Sequence, residues 1–292
     1  MKKLLLTTAA LGVLALPAMA ADMAPAPVYR APPPVLVPVW NWTGFYVGGT
    51  AGGGWLNGNV SLGGSTFCNT TLLGCVAFED STALANALPS NLNSKPSGFL
   101  GGGEIGYNWQ YGRFVYGIET DISGASISGS SSFSSSVQPA GFPLNAVNVS
   151  AVATEKLDYL GTLRARTGFL ATPSLLVYAT SGLAYGGVSS STALAEQLSG
   201  PCPGCGPSPS VAASTSGTKA GWTVGGGLEW MFAPQWTVKG EYLYYDLGST
   251  NYALPALVQT TSTGAPFFGA SGATNAEFKG SVARIGVNYK FW

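Results

Sequence analysis

The last ten residues of the chain, 283–292, have the period of a β-strand whose two faces differ in polarity. Apolar side chains occupy every second position from Ala283 to Phe291, and Arg284, Asn288 and Lys290 lie between them. Because successive side chains of a strand point to opposite sides, this alternation predicts one face for an apolar medium and one for a polar medium. It fits a barrel wall in a membrane or, alternatively, an edge strand of a secreted sandwich.

The first forty residues predict export followed by a spacer. Residues 1–20 have the pattern of a signal peptide, with Lys2 and Lys3, an apolar run and a small-residue site, so we expect cleavage after Ala20. Residues 21–40 form a Pro-rich linker, which favours extended polyproline II structure in the periplasm. We therefore assign residues 41–292 to the folded domain.

Composition favours the membrane alternative. Charged residues make up only 9% of the chain, against about 25% in ordinary soluble proteins, and aromatic residues make up 12%. No segment of the mature chain has the roughly 18 uninterrupted apolar residues that a membrane-spanning helix needs. Only helices and closed barrels satisfy every backbone group in lipid, so we predict an all-β fold, a closed antiparallel up-and-down transmembrane β-barrel.

Alternating side chains and bracketing aromatic residues place about eight strands. The first runs through residues 45–55, and the others lie near 99–109, 113–124, 155–169, 175–188, 219–232, 236–247 and 277–291. The connections at 110–112, 171–173 and 233–235 are short, which predicts periplasmic turns. Those at 58–97, 125–153, 189–217 and 248–276 are long and rich in Ser, Thr and Gly, which predicts external loops. A hairpin within a long loop would raise the number to ten strands.

Charged side chains fall on the opposite parity from the aromatic ones in these strands. An Arg or Lys on the lipid face would cost about 2–4 kcal/mol at the bilayer midplane, so we assign the charges to the lumen. They form either a network of ion pairs that fills the barrel or the lining of a narrow selective pathway. The strand at 175–188 alternates too weakly to assign its faces. The lumen charge network comprises Glu104, Glu119, Asp121, Arg164, Arg166, Glu229, Lys239, Glu241 and Arg284.

The opening and the end of the domain carry a family resemblance. The Pro-rich lead, the run W-T-G-F-Y-V-G-G from Trp42 and the run N-Y-K-F before Trp292 resemble small outer-membrane β-barrel proteins of alphaproteobacteria. These are porin-family or outer-membrane immunogenic proteins, similar to the OmpA-type transmembrane domain. The resemblance covers essentially the whole mature chain and implies a Gram-negative outer membrane. One departure is the extra aromatic residue at the end of the predicted assembly signal, which comprises Tyr289, Phe291 and Trp292.

The same resemblance supplies the expected partners. They are outer-membrane lipids and lipopolysaccharide, the barrel-assembly machinery during biogenesis, and, as further candidates, peptidoglycan or host surface molecules. The formal net charge is +0 and the pI is about 6.2, so the chain offers no basic surface to nucleic acid.

The four cysteines lie in two of the predicted loops. In an oxidising envelope, local disulfides from Cys68 to Cys75 and from Cys202 to Cys205 are the default expectation. A redox centre at Cys202 and Cys205 and a metal site of all four cysteines are weaker alternatives. We expect no metal and no cofactor.

The chain has no histidine, so it lacks the usual base for a serine nucleophile, and we expect no enzyme activity. Glu119 and Asp121 are better explained by pairing with Arg164 and Arg166 than by acid–base catalysis. Three hypotheses of function remain. The first is an outer-membrane protein with a structural and surface-interaction role, the second a small porin-like channel for solutes, and the third a hemin-type receptor in which Tyr244 and Tyr245 are the candidate ligands.

Overall fold

The structure is a computed structural model that describes residues 40–68, 75–139, 146–200 and 205–291, with the side chains of the helix described from Ser81 onward. The predicted signal peptide and nearly all of the Pro-rich linker lie outside this part of the chain. No helix within it is long and apolar enough to cross a membrane.

The described chain consists almost entirely of long antiparallel strands. The single helix, α1, spans Cys75–Ala87 in the connection that follows the first strand. Seven of the strands are 24 to 27 residues long. The strands are β1 (Gly44–Cys68), β2 (Asn91–Ser94), β3 (Ser97–Tyr111), β4 (Phe114–Val137), β5 (Ala146–Thr172), β6 (Leu175–Ser199), β7 (Ser210–Ala233), β8 (Trp236–Thr260) and β9 (Pro266–Lys290).

Consecutive strands pair as an antiparallel meander, and β9 pairs with β1 to close the barrel. Strands β2 and β3 continue one another along β1, because Gly58 faces Ser94 and Trp55 faces Ser97 in a single register. Pro96 separates them, and its carbonyl accepts the Leu56 amide at 2.8 Å. The nine strands therefore form a wall eight strands wide, which confirms the predicted fold class and strand number.

The ranges predicted as long external loops are largely strand, which corrects the sequence-based boundaries. The predicted loops 125–153 and 189–217 lie mostly within β4, β5, β6 and β7. Their Ser-rich composition is typical of loops. The hydrogen bonds between β-strands are made by backbone groups, however, so a strand can carry small polar side chains on a face that meets water. In β4, exposed serines occupy every second position over residues 126–136, so the outward face of this extension is polar. The three predicted turns are short, as expected.

Exposed aromatic residues form two girdles that mark the membrane. In four strands a lower and an upper aromatic side chain lie about ten positions apart, which is the length of strand that crosses a bilayer. The rest of each strand extends beyond the upper girdle. The pairs, lower member first, are Phe45 and Trp55, Trp109 and Phe99, Phe169 and the half-buried Tyr159, and Phe232 and Trp222.

The structure also assigns the faces of β6, which the sequence left open. Leu176, Tyr178 and Thr180 are buried in the lumen, whereas Val177 and Leu183 are exposed on the outside.

Glycines on the inward face of β1 allow it to lie close to β9. A Cβ atom on Gly52 would lie 2.2 Å from the Ala283 carbonyl oxygen and 2.6 Å from the Arg284 Cα, both of them backbone atoms. A Cβ atom on Gly240, on the outward face of β8, would meet nothing within 4 Å. The closing pair of strands therefore depends on a missing side chain at Gly52.

We expect Gly52→Ala to destabilise the barrel by about 1–3 kcal/mol through overpacking, and Gly240→Ala to leave its stability nearly unchanged. The measurement is the urea midpoint of the refolded protein in detergent, together with the heat-dependent shift of its band in gels. Equal midpoints for the two alanine variants would contradict this account of strand closure.

Candidate functional site

All nine predicted lumen charges point into the barrel and are buried, none more than 5% exposed. They come from strands β3, β4, β5, β7, β8 and β9, so the closed sheet brings together residues up to 180 positions apart in the chain. This cluster lies between the two girdles, with Glu104 midway between Phe99 and Trp109 and Arg164 midway between Tyr159 and Phe169, and it is called the lumen charge network below.

Glu119 lies at the centre of the lumen charge network. Its carboxylate accepts a very short bond from Arg164, forms an ion pair with Lys239 at 2.9 Å and lies 3.4 Å from Arg166. The Tyr46 hydroxyl also donates to it at 2.7 Å. Three cations and one hydroxyl thus surround one carboxylate whose side chain is buried.

The second group of contacts joins two acids to two arginines. Asp121 and Glu241 each pair with Arg284, at 3.0 Å and 2.7 Å, and each pairs with Arg164, at 3.1 Å and 2.7 Å. The Thr162 hydroxyl donates to Asp121 at 2.5 Å. The four charged groups form a closed ring of opposite charges, which restrains each side chain.

The remaining two acids complete the network on its flanks. Glu229 pairs with Arg166 at 2.6 Å and accepts the Thr237 hydroxyl at 2.6 Å. Glu104 pairs with Lys239 at 2.7 Å. The Arg166 guanidinium also lies 4.1 Å from the centre of the Tyr178 ring, a cation–π contact.

Pairing of opposite charges is what makes this arrangement stable. The network holds five acids and four bases, and every one of the nine has at least one partner of opposite charge. Burying an unpaired charge is costly, whereas a well-bonded cluster repays much of the cost of desolvation. Because each carboxylate is already engaged, Glu119 and Asp121 form a structural ion-pair cluster in this geometry.

An apolar plug closes the lumen below the network. Trp42, 1% exposed, lies in a buried cluster whose other members come from β4, β5, β6 and β7. Its indole N–H donates to the Pro173 carbonyl at 3.0 Å, and its backbone N–H donates to the Gln110 side chain at 2.8 Å. The segment before β1 is thereby fastened across two periplasmic turns.

Two further apolar layers close the lumen above the network. The first is a cluster around Leu56, Leu157, Tyr245 and Phe278. The second includes α1, whose Ala83, Leu84 and Ala87 pack with Phe267, Phe268 and other side chains of β5, β8 and β9 at the outer end of the barrel. From the periplasmic turns to the outer end, the described side chains thus occlude the lumen in four successive layers. A cavity of about 500 Å³, lined in part by Leu62, Leu194, Leu254 and Ala270, remains at the two outer layers.

Sequence reasoning missed Trp42, Tyr46 and Tyr178 as members of these layers. The signal for Tyr46 was available, because it shares the inward parity of β1 with Gly48 and Gly52. Trp42 gave no such signal, since it lies before the first strand and its position depends on the turns that it contacts. Tyr244 and Tyr245 lie on opposite faces: the Tyr244 ring contacts Trp222 outside, and Tyr245 is buried inside.

The cysteines differ in part from the prediction. Cys68 is free, and it packs as a small apolar side chain against the outer cluster instead of bonding to Cys75. Cys205 is disulfide-bonded; its predicted partner Cys202 and the Cys75 side chain lie outside the described part. Within that part there is no group of three or more His, Cys, Asp or Glu side chains suited to a metal ion.

The aromatic C-terminus is tied to the first strand. The Phe291 amide donates to the Phe45 carbonyl at 2.8 Å, and the Phe291 ring lies 5.7 Å from the Phe45 ring and 5.0 Å from the Tyr289 ring. Trp292 lies outside the described residues. The role of this end as an assembly signal stays a prediction.

The closed barrel, its two girdles and its filled polar lumen define the class of small outer-membrane β-barrel proteins. Residues 6–291 match the family model described as "Outer membrane protein beta-barrel domain", and the chain belongs to that family. Membership places the protein in the outer membrane.

Two relatives and one solved structure illustrate the similarity. The "31 kDa outer-membrane immunogenic protein" of Brucella melitensis biotype 1 is 33% identical over 294 residues, with 100% of each chain covered. The "22 kDa outer membrane protein" of Rhizobium leguminosarum bv. viciae is 28% identical over 192 residues, which cover 65% of this chain and 66% of that one. The outer membrane protein OprG of Pseudomonas aeruginosa is 13% identical with a TM-score of 0.40, covering 85% of this chain and 96% of that one.

We expect Glu119→Gln to lower the free energy of unfolding by about 3–5 kcal/mol, because it leaves buried cations without their shared partner. The matched control is Glu277→Gln, which removes a carboxylate that is 41% exposed and 3.5 Å from Lys279; a surface pair of this kind is worth about 1 kcal/mol or less. Urea unfolding in detergent micelles measures both. Similar losses in the two variants would show that the lumen pairing contributes no more than a surface pair.

Proposed function

We propose that this protein is a closed outer-membrane scaffold with a structural and surface-interaction role, and that it neither conducts solutes nor catalyses a reaction. The observation that carries the proposal is the sequence of filled layers in the lumen. A solute entering from the periplasmic side would have to displace Trp42, then separate the ion pairs of Glu119, and then cross two apolar layers.

Solute passage along the same groups was the alternative for the lumen charge network. A selective pathway needs charges that are exposed to water along one continuous route. Here the Arg164 and Lys239 side chains are 0% exposed and bonded to carboxylates on several sides. The contacts therefore favour a rigid core over a pathway.

The surface role rests on the wall above the upper girdle. Strands β1 and β7 continue for more than ten residues beyond Trp55 and Trp222, and this extension presents hydroxyl and small side chains to the outside. A rigid transmembrane base would hold such a wall at a fixed height over the membrane. The names of relatives as immunogenic proteins agree with a surface that molecules outside the cell contact.

In a planar bilayer we expect the refolded mature protein to show no reproducible current steps, since its lumen is filled. An established porin inserted in the same bilayer is the control for detection. Reproducible steps whose ion selectivity changes in the Arg164→Ala and Arg166→Ala variants would overturn the closed-scaffold proposal in favour of a channel.

On intact cells we expect a membrane-impermeant maleimide to label Ser132→Cys, which lies on the outward face of the β4 extension, and not Pro234→Cys, in the turn between β7 and β8. Pro234→Cys should label only after the outer membrane is permeabilised. The wild-type protein reports the background from its native cysteines. The reverse pattern would show that the extended wall faces the periplasm.

A further inference from the structure

Above the upper girdle the wall between β7 and β8 is open. Their ladder starts at the periplasmic turn and stops at the pair Trp222 and Asp246. By contrast, β6 pairs with β7 as far as Ser210, and β8 pairs with β9 as far as Thr260. Residues 210–221 of β7 and 247–260 of β8 therefore each have one paired edge and one edge without a ladder partner in the described chain.

A second break in the outer wall is covered by the chain itself. The ladder between β1 and β2 stops at Ser61, and that between β3 and β4 stops at Ser128 at its outer end. Beyond these points the ends of β1 and β4 lie in the region of α1. This helix contacts β1, β4, β5 and β9. The outer wall thus consists of two sheets. One comprises β4, β5, β6 and β7, and the other comprises β8, β9 and β1. Helix α1 closes one of the two seams between these sheets.

The seam between β7 and β8 has defined ends. At the bottom it begins above Trp222. At the top the backbones of Cys205 and Thr261 form an isolated antiparallel β-bridge, and the Gly206 amide donates to the Thr260 carbonyl at 2.8 Å. Between these ends, the Lys219 ammonium donates a hydrogen bond to the Ser249 carbonyl at 3.2 Å. We call the stretch between the two ends the β7–β8 window.

Contacts across the lumen hold the window apart. The Tyr252 hydroxyl of β8 bonds to Ser190 at 3.1 Å and to Thr192 at 2.7 Å, and both partners lie on the inner face of β6. Strand β8 therefore leans across the interior towards β6 instead of lying beside β7. A cavity of about 260 Å³ remains in the window, lined by residues of β7 together with Val188, Thr250 and Phe278.

A free strand edge of this length can pair with a further strand. In an antiparallel ladder alternate residues direct both N–H and C=O to one neighbour, so β7 presents about six such residues over 210–221. Ser216, Gly217 and Thr218 are exposed in succession, and a Cβ atom on Gly217 would meet nothing within 4 Å. Exposed edges bind extended peptides through main-chain hydrogen bonds, and proteins that avoid this cover them.

The geometry points to the β7–β8 window as a docking site for an extended segment of another polypeptide, which adds to the free edge of β7 as a β-strand. This inference rests on the proposed surface role and names the surface. Residues 210–221 are Ser, Val, Ala, Thr and Gly, apart from Lys219, which is the one charged residue among them. The fitting segment is therefore extended, largely uncharged and free of proline, since proline lacks the N–H that the edge requires.

A second copy in the same membrane fits this edge poorly. Two barrels in one membrane are related by an axis along the membrane normal, so both β7 strands run in the same vertical direction. With strands tilted about 45° from the normal, the two edges cross at a large angle and cannot form an antiparallel ladder. A separate, flexible chain has no such restriction.

The first test measures the edge itself by amide hydrogen exchange of the mature protein in lipid nanodiscs. We expect the amides of residues 210–220 of β7 that face the window to exchange at least tenfold faster than the amides of residues 189–195 of β6, which are paired on both sides. Equal protection at low protein concentration would overturn the inference. Protection that rises with protein concentration would also overturn it, because a second copy would then be the occupant.

The second test uses a fluorescein-labelled twelve-residue peptide of alternating Thr and Val as the probe. We expect saturable binding that protects residues 210–220 from exchange. N-methylation of four successive central residues, which blocks both peptide edges, should weaken binding at least tenfold, whereas methylation of alternate residues should leave one edge able to bind. Equal binding of all three peptides would indicate adsorption through side chains and would contradict strand addition.

A closed form of the window is the matched control. Thr215→Cys and Thr250→Cys, which line the same cavity, are joined by a bismaleimide in a background carrying Cys68→Ser and Cys75→Ser. Peptide binding should fall at least tenfold relative to the same variant without the linker. The conductance measurement tests the closed-scaffold proposal independently. A protein that conducts and binds the peptide would overturn the closed scaffold but not the docking site. A protein that does not conduct and does not bind the peptide would overturn the docking site but not the closed scaffold.

Discussion

The rest of the structure depends on the mutual neutralisation of charge inside the barrel. A wall eight strands wide has an interior that side chains can fill, and in this chain the filling at membrane depth is ionic. Glu119, bonded to Arg164, Arg166 and Lys239, connects strands on opposite sides of the ring. The bond from Lys239 to Glu119 crosses the lumen, whereas Arg164 lies beside Glu119 on the neighbouring strand. The network therefore braces the cross-section of the barrel while the backbone ladder holds its wall. The apolar layers on either side keep water from competing for these bonds.

The surrounding medium explains why one wall is continuous at one height and divided at another. In lipid an unpaired backbone group has no alternative partner, and the ladder between β7 and β8 is continuous from Met231, just above a bulge at the turn, to Trp222 at the upper girdle. Above that girdle water can satisfy free N–H and C=O groups. The wall can therefore separate into two sheets whose inner faces pack on each other, with Tyr252 reaching from one sheet to the other.

Much of the transmembrane part could be predicted, because lipid imposes a strict pattern on it. Lumen residues such as Glu241 and Arg284 and outward residues such as Trp230 and Tyr242 differ by parity alone, and a strand alternates sides at every residue. The outer wall did not have this signal. Its exposed face meets water and carries Ser and Thr, and the inner face of β6 there carries small residues, so the composition matched a loop although the backbone forms a ladder.

The sequence by itself determined the class of fold, the number of strands that cross the membrane and which charges face the lumen, because each of these follows from local alternation and from the cost of charge in lipid. Tertiary structure alone decided the partners of each charge, the seal made by Trp42, the position of α1 in one seam and the opening of the other. All of these depend on which residues distant in the chain meet when β9 closes on β1, and no local pattern encodes that meeting.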